Sequence, residues 1–249
     1  VNEDILLEQH VARLRYLGPL TVVDPLFGDL RLAVFPFRHD GTSSCVLPAG
    51  FTCWEENVRA MMVHVPVQAH ATQFFVTIDS RFFTQEDTLR RPGIHLDGNF
   101  CADPTFAPRS TWGPPSPTWG GLLAVGTEEK ADNSHVQMGF VLPYPDVVVP
   151  IGTYVSDHLG ATLVASSYTG CVAWGGSFSG PVESGGALGE GVEASLQNPS
   201  MLTEHSLWLM SSNCPHQTLR IPAGARRTLI RITFPHNYDN RCLFPLETP

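Results

Sequence analysis

Apolar positions along this chain follow two periods, and the switches between them mark out its elements. From Asp4 to Leu17 the apolar residues Ile5, Leu6, Val11, Leu14 and Leu17 keep a helical spacing that Gly18-Pro19 ends, so this stretch predicts a helix. Phe51 to His64, ahead of Pro66, is a second helical candidate. Most of the rest predicts short strands. Leu20 to Val23, Leu30 to Phe35, Cys45 to Leu47, Gln73 to Phe83, Gln137 to Leu142, Val147 to Val149 and Ala161 to Ser166 are β-type runs. Asp24-Pro25, Asp40-Gly41 and the polar Thr84 to Pro92 divide them. Farther on, the apolar run Leu207-Trp208-Leu209-Met210 leads to His216, and a Pro222-Ala223-Gly224 turn precedes the strand-like Arg226 to Phe234.

Two stretches carry neither period. Asp103 to Gly121 is rich in proline and holds Thr111-Trp112-Gly113 and Thr118-Trp119-Gly120, the signature of a loop. Trp112 and Trp119 either clamp an organic substrate or pack the loop down. Gly175 to Ser200 is glycine-rich and too long for a simple connection, which leaves a substrate-covering lid or a disordered insertion.

Composition fits a β-rich chain. Its 249 residues include 22 Gly and 21 Pro with 43% hydrophobic residues, enough for one domain with a large core. No apolar run approaches the roughly eighteen residues that span a bilayer, and the first residues do not form a secretory leader pattern. A net charge of -9 with Lys130 as the one lysine is a poor match to a phosphate backbone, so nucleic acid is not an expected partner. Cys45, Cys53, Cys101, Cys171, Cys214 and Cys242 include no Cys-x-x-Cys pair. The expectation is a cytoplasmic protein with reduced thiols.

Chemistry enters with charges inside strands. Arg226, Arg227 and Arg231 interrupt a run that a buried strand fills with Val, Ile and Leu, and a buried charge needs a partner. Upstream lies one His-x-Asp, His95-Leu96-Asp97. Alternation on a strand presents the imidazole and the carboxylate to a common point. With His216 the set becomes two histidines and a carboxylate, the facial triad of non-haem Fe(II) oxygenases. His205 is the strongest rival third ligand. His135 and His158 have no suitably spaced arginine after them, and His39, His64 and His70 read as ordinary surface or hydrogen-bonded imidazoles.

His95, Asp97, His216 and, eleven residues later, Arg227 occur in the order that resembles the Fe(II)/2-oxoglutarate-dependent dioxygenase superfamily. The resemblance covers roughly residues 74–235 as a barrel core, with residues 1–70 as an N-terminal extension of the same single domain. It implies a mainly β fold, a double-stranded β-helix (a jelly-roll or cupin-like barrel) with a few flanking helices. It also implies Fe(II) held by His95, Asp97 and His216. Arg227 would hold the distal carboxylate of the co-substrate 2-oxoglutarate, with Arg231 deeper or on the substrate side. The reaction implied is oxidation of an organic small molecule by O2, most often hydroxylation, with release of succinate and CO2. Two other readings share the fold pattern: a non-catalytic jelly-roll lectin or virion-type structural protein, and a cupin-type metal enzyme without 2-oxoglutarate.

Overall fold

The computed structural model describes residues 9–25, 31–38, 47, 50–66, 73–87, 93–96, 137–138, 160–182, 188–234 and 238–244, of which 31–38, 73, 137 and 138 are described by backbone alone. It is mainly β, with few helices. The strands are β1 (Gln9–Ala12), β2 (Leu14–Pro19), β3 (Arg31–Arg38), β4 (Gln73–Phe82), β5 (Gln137–Met138), β6 (Ala161–Ser166), β7 (Cys171–Trp174), β8 (Gly176–Ser179), β9 (Pro199–Leu202), β10 (Ser206–Ser211), β11 (His216–Thr218) and β12 (Arg226–Thr233). A seven-stranded sheet runs β2-β10-β6-β12-β4-β3-β5, and a three-stranded sheet runs β11-β7-β9. His95 extends the second sheet through an antiparallel bridge to His216 on β11, and β1 pairs with β8. Apart from the parallel β3-β5 pair, the strand pairings are antiparallel.

The centre of the large sheet is buried on both faces. All six residues of β6, ATLVAS, are buried, as are the six interior positions of β12, so these strands read as continuous runs and not as alternating ones. Ile230 and Ile232 of β12 join Val76 and Ile78 of β4 and Leu163 of β6 in the larger core. Helix α1 (Glu55–Met62) covers that face with Val58, Met61 and Met62, whose spacing of three and four puts them on one stripe. Glu55 and Glu56 stand in its first turn and Arg59 in its last, each at the end of the helix dipole that favours its charge. This helix was legible from Phe51 to His64, its first turn being the 3-10 segment Thr52–Trp54.

Three expectations are corrected. The helix expected from Asp4 to Leu17 is, over its described part, the strands β1 and β2. The chain changes sheets at Arg13, whose N-H donates to Ser211 Oγ (2.8 Å) and whose carbonyl accepts from Ser211 N (2.9 Å). His10 and Ala12 point inward before the crossing, whereas Leu14 packs on one core and Leu17 on the other. Two strands out of phase thus imitate a helical spacing.

Leu20 to Val23 is not a strand either. Side chains and a loop satisfy its backbone: Asn57 Nδ2 donates to Thr21 O (2.6 Å), Trp54 Nε1 donates to Val23 O (2.9 Å), and Val22 N donates to His205 Nδ1 (3.1 Å). Gly175 to Ser200, expected as a lid or a disordered insertion, carries regular elements over its described part. It supplies β8, the start of β9 and a short helix, α2 (Val192–Ser195). Phe178 and Val192 are buried in the second core, and a Cβ on Gly180, at φ +121°, would meet Val192 Cγ2 at 2.6 Å. A segment packed in this way cannot swing open without exposing core, and residues 183–187 lie outside the described range.

Candidate functional site

Local hydrogen bonds fix His216. After β10, Ser211 Oγ donates to Asn213 Oδ1 (2.7 Å), Asn213 Nδ2 donates to Val11 O (2.6 Å), and Cys214 N donates to Ser211 O (3.0 Å), a turn that launches β11. His95 and His216 then exchange both backbone hydrogen bonds, at 3.0 and 2.9 Å, and their rings lie 4.6 Å apart between centroids at 56°. Each ring nitrogen Nδ1 is fixed on the carbonyl two residues earlier, His95 on Gly93 O (2.9 Å) and His216 on Cys214 O (3.0 Å). A carbonyl can only accept, so the proton sits on Nδ1, and in the neutral ring the lone pair sits on Nε2. That is the arrangement of a metal-binding histidine held by a backbone partner. Both rings are nearly enclosed, at 2% and 7% exposure.

Between the two sheets lies a cavity of about 40 Å³ whose walls include His216 and Thr218 of β11, Arg227 and Arg231 of β12, Met210 of β10 and Cys171 of β7. A single water needs roughly 10–15 Å³ on this measure, so the space takes more than one. The inward face of β12 is Arg227, Leu229 and Arg231, the face that strand alternation predicts. Opposite them on β4 stand Arg81, Asp79 and Thr77. Asp79 is buried and chelated by its neighbour, with Arg81 Nε to Oδ1 at 2.9 Å and Nη2 to Oδ2 at 2.6 Å.

Arg227 is 3% exposed and donates from Nε to Ser166 Oγ at 3.0 Å, with no carboxylate in ion-pair range among the described residues. Burial pushes its guanidinium pKa down to about 10, and Arg81 pushes the same way while Cys171 and Asp79 oppose. Its head group lies against Gly170, where an added Cβ would be 3.6 Å from Cζ. Next to Gly170, Cys171 pairs with Thr218, two residues along β11 from His216. Gly170 itself accepts from Leu219 N, three residues along from His216, so the guanidinium lies roughly 10 Å from the histidine level by strand rise.

Succession across the short Pro222-Ala223-Gly224 turn predicts neighbouring strands for His216 and Arg227, and the structure corrects this. β11 and β12 follow each other in the chain but belong to opposite sheets, so His216 and Arg227 face one another across the cavity and do not stand side by side. Arg231 is not remote from the site, because it lines the same cavity. His205 lies before β10, at the opposite end from His216. Its backbone is left-handed (φ 54°), and its Nδ1 accepts from Val22 N, so it serves a turn. Asp97, Trp112, Trp119, His135, His158, His39 and His70 lie outside the described residues. Among the described residues no three His, Cys, Asp or Glu side chains gather as a metal-binding group.

Sequence reasoning missed Asp79, Arg81 and Cys171. The first two were signalled: in Gln73 to Phe82 the polar Thr77, Asp79 and Arg81 alternate with Val76, Ile78 and Ser80. Cys171 carried no signal, and its strand β7 was not among the expected ones. Cys53, Cys171, Cys214 and Cys242 form no disulfide with one another, and no helix among the described residues is long and apolar enough to cross a membrane. The chain matches no protein-family model, no curated protein and no solved structure.

Proposed function

We propose that this chain is a non-haem Fe(II)- and 2-oxoglutarate-dependent oxygenase that oxidises an organic small molecule, built on a double-stranded β-helix. The strand order β10-β6-β12-β4, facing His95-β11-β7-β9, supports the fold. The chain passes from sheet to sheet at each step from β4 to His95, β6 to β7, β9 to β10, β10 to β11 and β11 to β12.

The observation that carries the functional reading is the pair His95 and His216. Their Nδ1 protons are fixed on backbone carbonyls, and His216 faces a cavity shared with the deeply buried Arg227. Two imidazoles with lone pairs on Nε2 fit a divalent transition metal, with Asp97 as the carboxylate of the set. Bound there, Fe(II) would supply the reaction with O2 that couples decarboxylation of 2-oxoglutarate to oxidation of the substrate. The protein's part is orientation and shelter. Arg227 offers a fork of N-H donors to a carboxylate, and its separation from the histidine level suits a five-carbon diacid with its keto-acid end at the metal. Arg231, on the same wall, adds positive potential for the second anionic end or for the substrate. Apolar walls from Leu202, Met210 and Leu229 lower the local dielectric and strengthen these attractions.

Anaerobic titration with Fe(II) and then 2-oxoglutarate, followed by a succinate-release assay over a metabolite library, tests this reading. It expects metal-dependent binding of 2-oxoglutarate and succinate formation with at least one substrate class. Absence of Fe(II) binding, or 2-oxoglutarate binding indifferent to the metal, overturns it.

A further inference from the structure

Beside Arg227 lies a second, smaller cavity of about 10 Å³, lined by Ser166, Tyr168, Thr203, Ser206, Trp208 and Arg227 among others. It shares Val164, Cys171, Leu202 and Leu229 with the main cavity, so the two adjoin. Trp208, which lines it, has a buried Nε1 with no hydrogen-bond partner among the described residues. An indole N-H is a donor only, and a buried donor left unmatched is costly.

The serine and threonine hydroxyls of its lining are already engaged. Ser166 Oγ accepts from Arg227 Nε and from Tyr168 N and donates to Tyr168 O, while Thr203 Oγ1 and Ser206 Oγ bond each other at 2.8 Å. Arg227 has four further N-H groups beyond Nε. β10, which carries Trp208, and β12, which carries Arg227, flank β6 on either side. An indole and a guanidinium, neither of which can accept, thus border one chamber that takes about one water-sized atom and adjoins the main cavity, room for a single carboxylate oxygen with the rest of the group in that cavity. An acceptor-only, negatively charged group satisfies both.

We propose that Arg227 and Trp208 together form a carboxylate chamber, in which Trp208 Nε1 donates to one oxygen of the distal carboxylate of a 2-oxo diacid. The identity of that ligand rests on the oxygenase reading, whereas the chamber itself rests on the convergence of donors. Trp208 is a binding residue in this role, because it touches the co-substrate directly.

The test follows the indole N-H resonances of nitrogen-15-labelled protein, with the Trp208 signal assigned from Trp208→Phe and with Zn(II) as a diamagnetic metal. Glutarate and 2-oxoglutarate are titrated in turn. The expected result is a downfield shift of the Trp208 signal with both. Trp208→Phe should weaken each ligand about tenfold, the loss of one hydrogen bond to a charged acceptor. If the diacids bind in an Arg227-dependent way but the Trp208 signal stays still and Trp208→Phe binds equally well, the chamber is overturned and the oxygenase reading stands. If glutarate moves the signal while no metal-dependent 2-oxoglutarate binding or succinate release occurs, the chamber stands and the oxygenase reading falls. A signal unmoved by either diacid overturns the chamber.

Discussion

On one face of β12, Ile230 and Ile232 are completely buried against the core that holds Trp54, Val58 and Met61, whereas on the other face Arg227 and Arg231 are almost as deeply buried but line a cavity. Eight consecutive residues therefore carry both the protein's stability and its candidate chemistry, separated only by the strand's period of two. The apolar face contributes roughly 1.5–3 kcal/mol for each large side chain it removes from water. The charged face does the reverse in the absence of a ligand, as the lowered pKa of Arg227 shows: burial disfavours its charge. A fold can keep such a residue when a bound anion compensates it.

The two faces should separate most sharply under His216→Ala. Removing the imidazole should abolish Fe(II) binding and turnover, because an incomplete ligand set remains, as should His95→Ala and Asp97→Ala. The apo-protein should lose about 1–3 kcal/mol, the cost of leaving the Cys214 carbonyl without its partner. Calorimetric metal titration alongside chemical denaturation measures both, and full activity in His216→Ala would rule out its assignment as a ligand. Ile230→Ala is the mirror experiment. A fully buried isoleucine truncated to alanine costs about 2–5 kcal/mol, while the folded fraction should bind Fe(II) as before. Loss of metal affinity in well-folded Ile230→Ala would mean that the faces are not independent.

Arg227 allows a finer separation. Arg227→Met should raise the stability of the apo-protein by about 1–3 kcal/mol, because it removes a buried charge with no carboxylate in ion-pair range among the described residues, and should eliminate protection by 2-oxoglutarate. The folded pKa is depressed, so the charge destabilises the native state at all pH values below about 10. Above that point the unfolded chain holds a proton the folded one has released, and wild-type stability gains with rising pH. The advantage of Arg227→Met should accordingly be equal at about pH 6 and pH 8. Arg227→Lys should weaken 2-oxoglutarate while sparing Fe(II), since an ammonium cannot make two parallel hydrogen bonds. Thermal melts with and without 2-oxoglutarate distinguish these outcomes.

The sequence made some of this comparison visible and hid the rest for physical reasons. Alternation along β12 was enough to place Arg227, Leu229 and Arg231 on one inward face, and β4 and β6 stood out as runs with matching bounds. Helix α1 was legible because its buried positions keep one phase throughout. The strands β1 and β2 were not, since the chain changes partner sheets at Arg13 and resets its phase. The glycine-rich stretch hid β8 for a different reason: it is short, with burial concentrated at Phe178. Nor could strand order be read locally. That β11 and β12 face each other across a cavity, when sequence neighbours commonly pair, depends on contacts of both strands with distant partners.

The smallest expected effect tests the choice between His216 and His205. His205 occupies a left-handed backbone position, its N-H donates to Ser166 O at 2.7 Å, and its carbonyl accepts from Leu20 N at 2.8 Å. Its ring accepts from Val22 N through Nδ1, which places the proton of the neutral ring on Nε2, the reverse of His95 and His216. Asparagine tolerates left-handed backbone better than most residues, and its side chain offers an acceptor oxygen. His205→Asn should therefore cost less than about 1 kcal/mol and leave Fe(II) affinity and succinate release unchanged. His205→Val should cost more, because a β-branched residue at positive φ is strained and provides no acceptor for Val22 N. Denaturation midpoints and metal titrations of the two variants give the answer. A large loss of Fe(II) affinity in well-folded His205→Asn would transfer the distal ligand from His216 to His205 and with it undo the pairing of metal and Arg227 across the cavity.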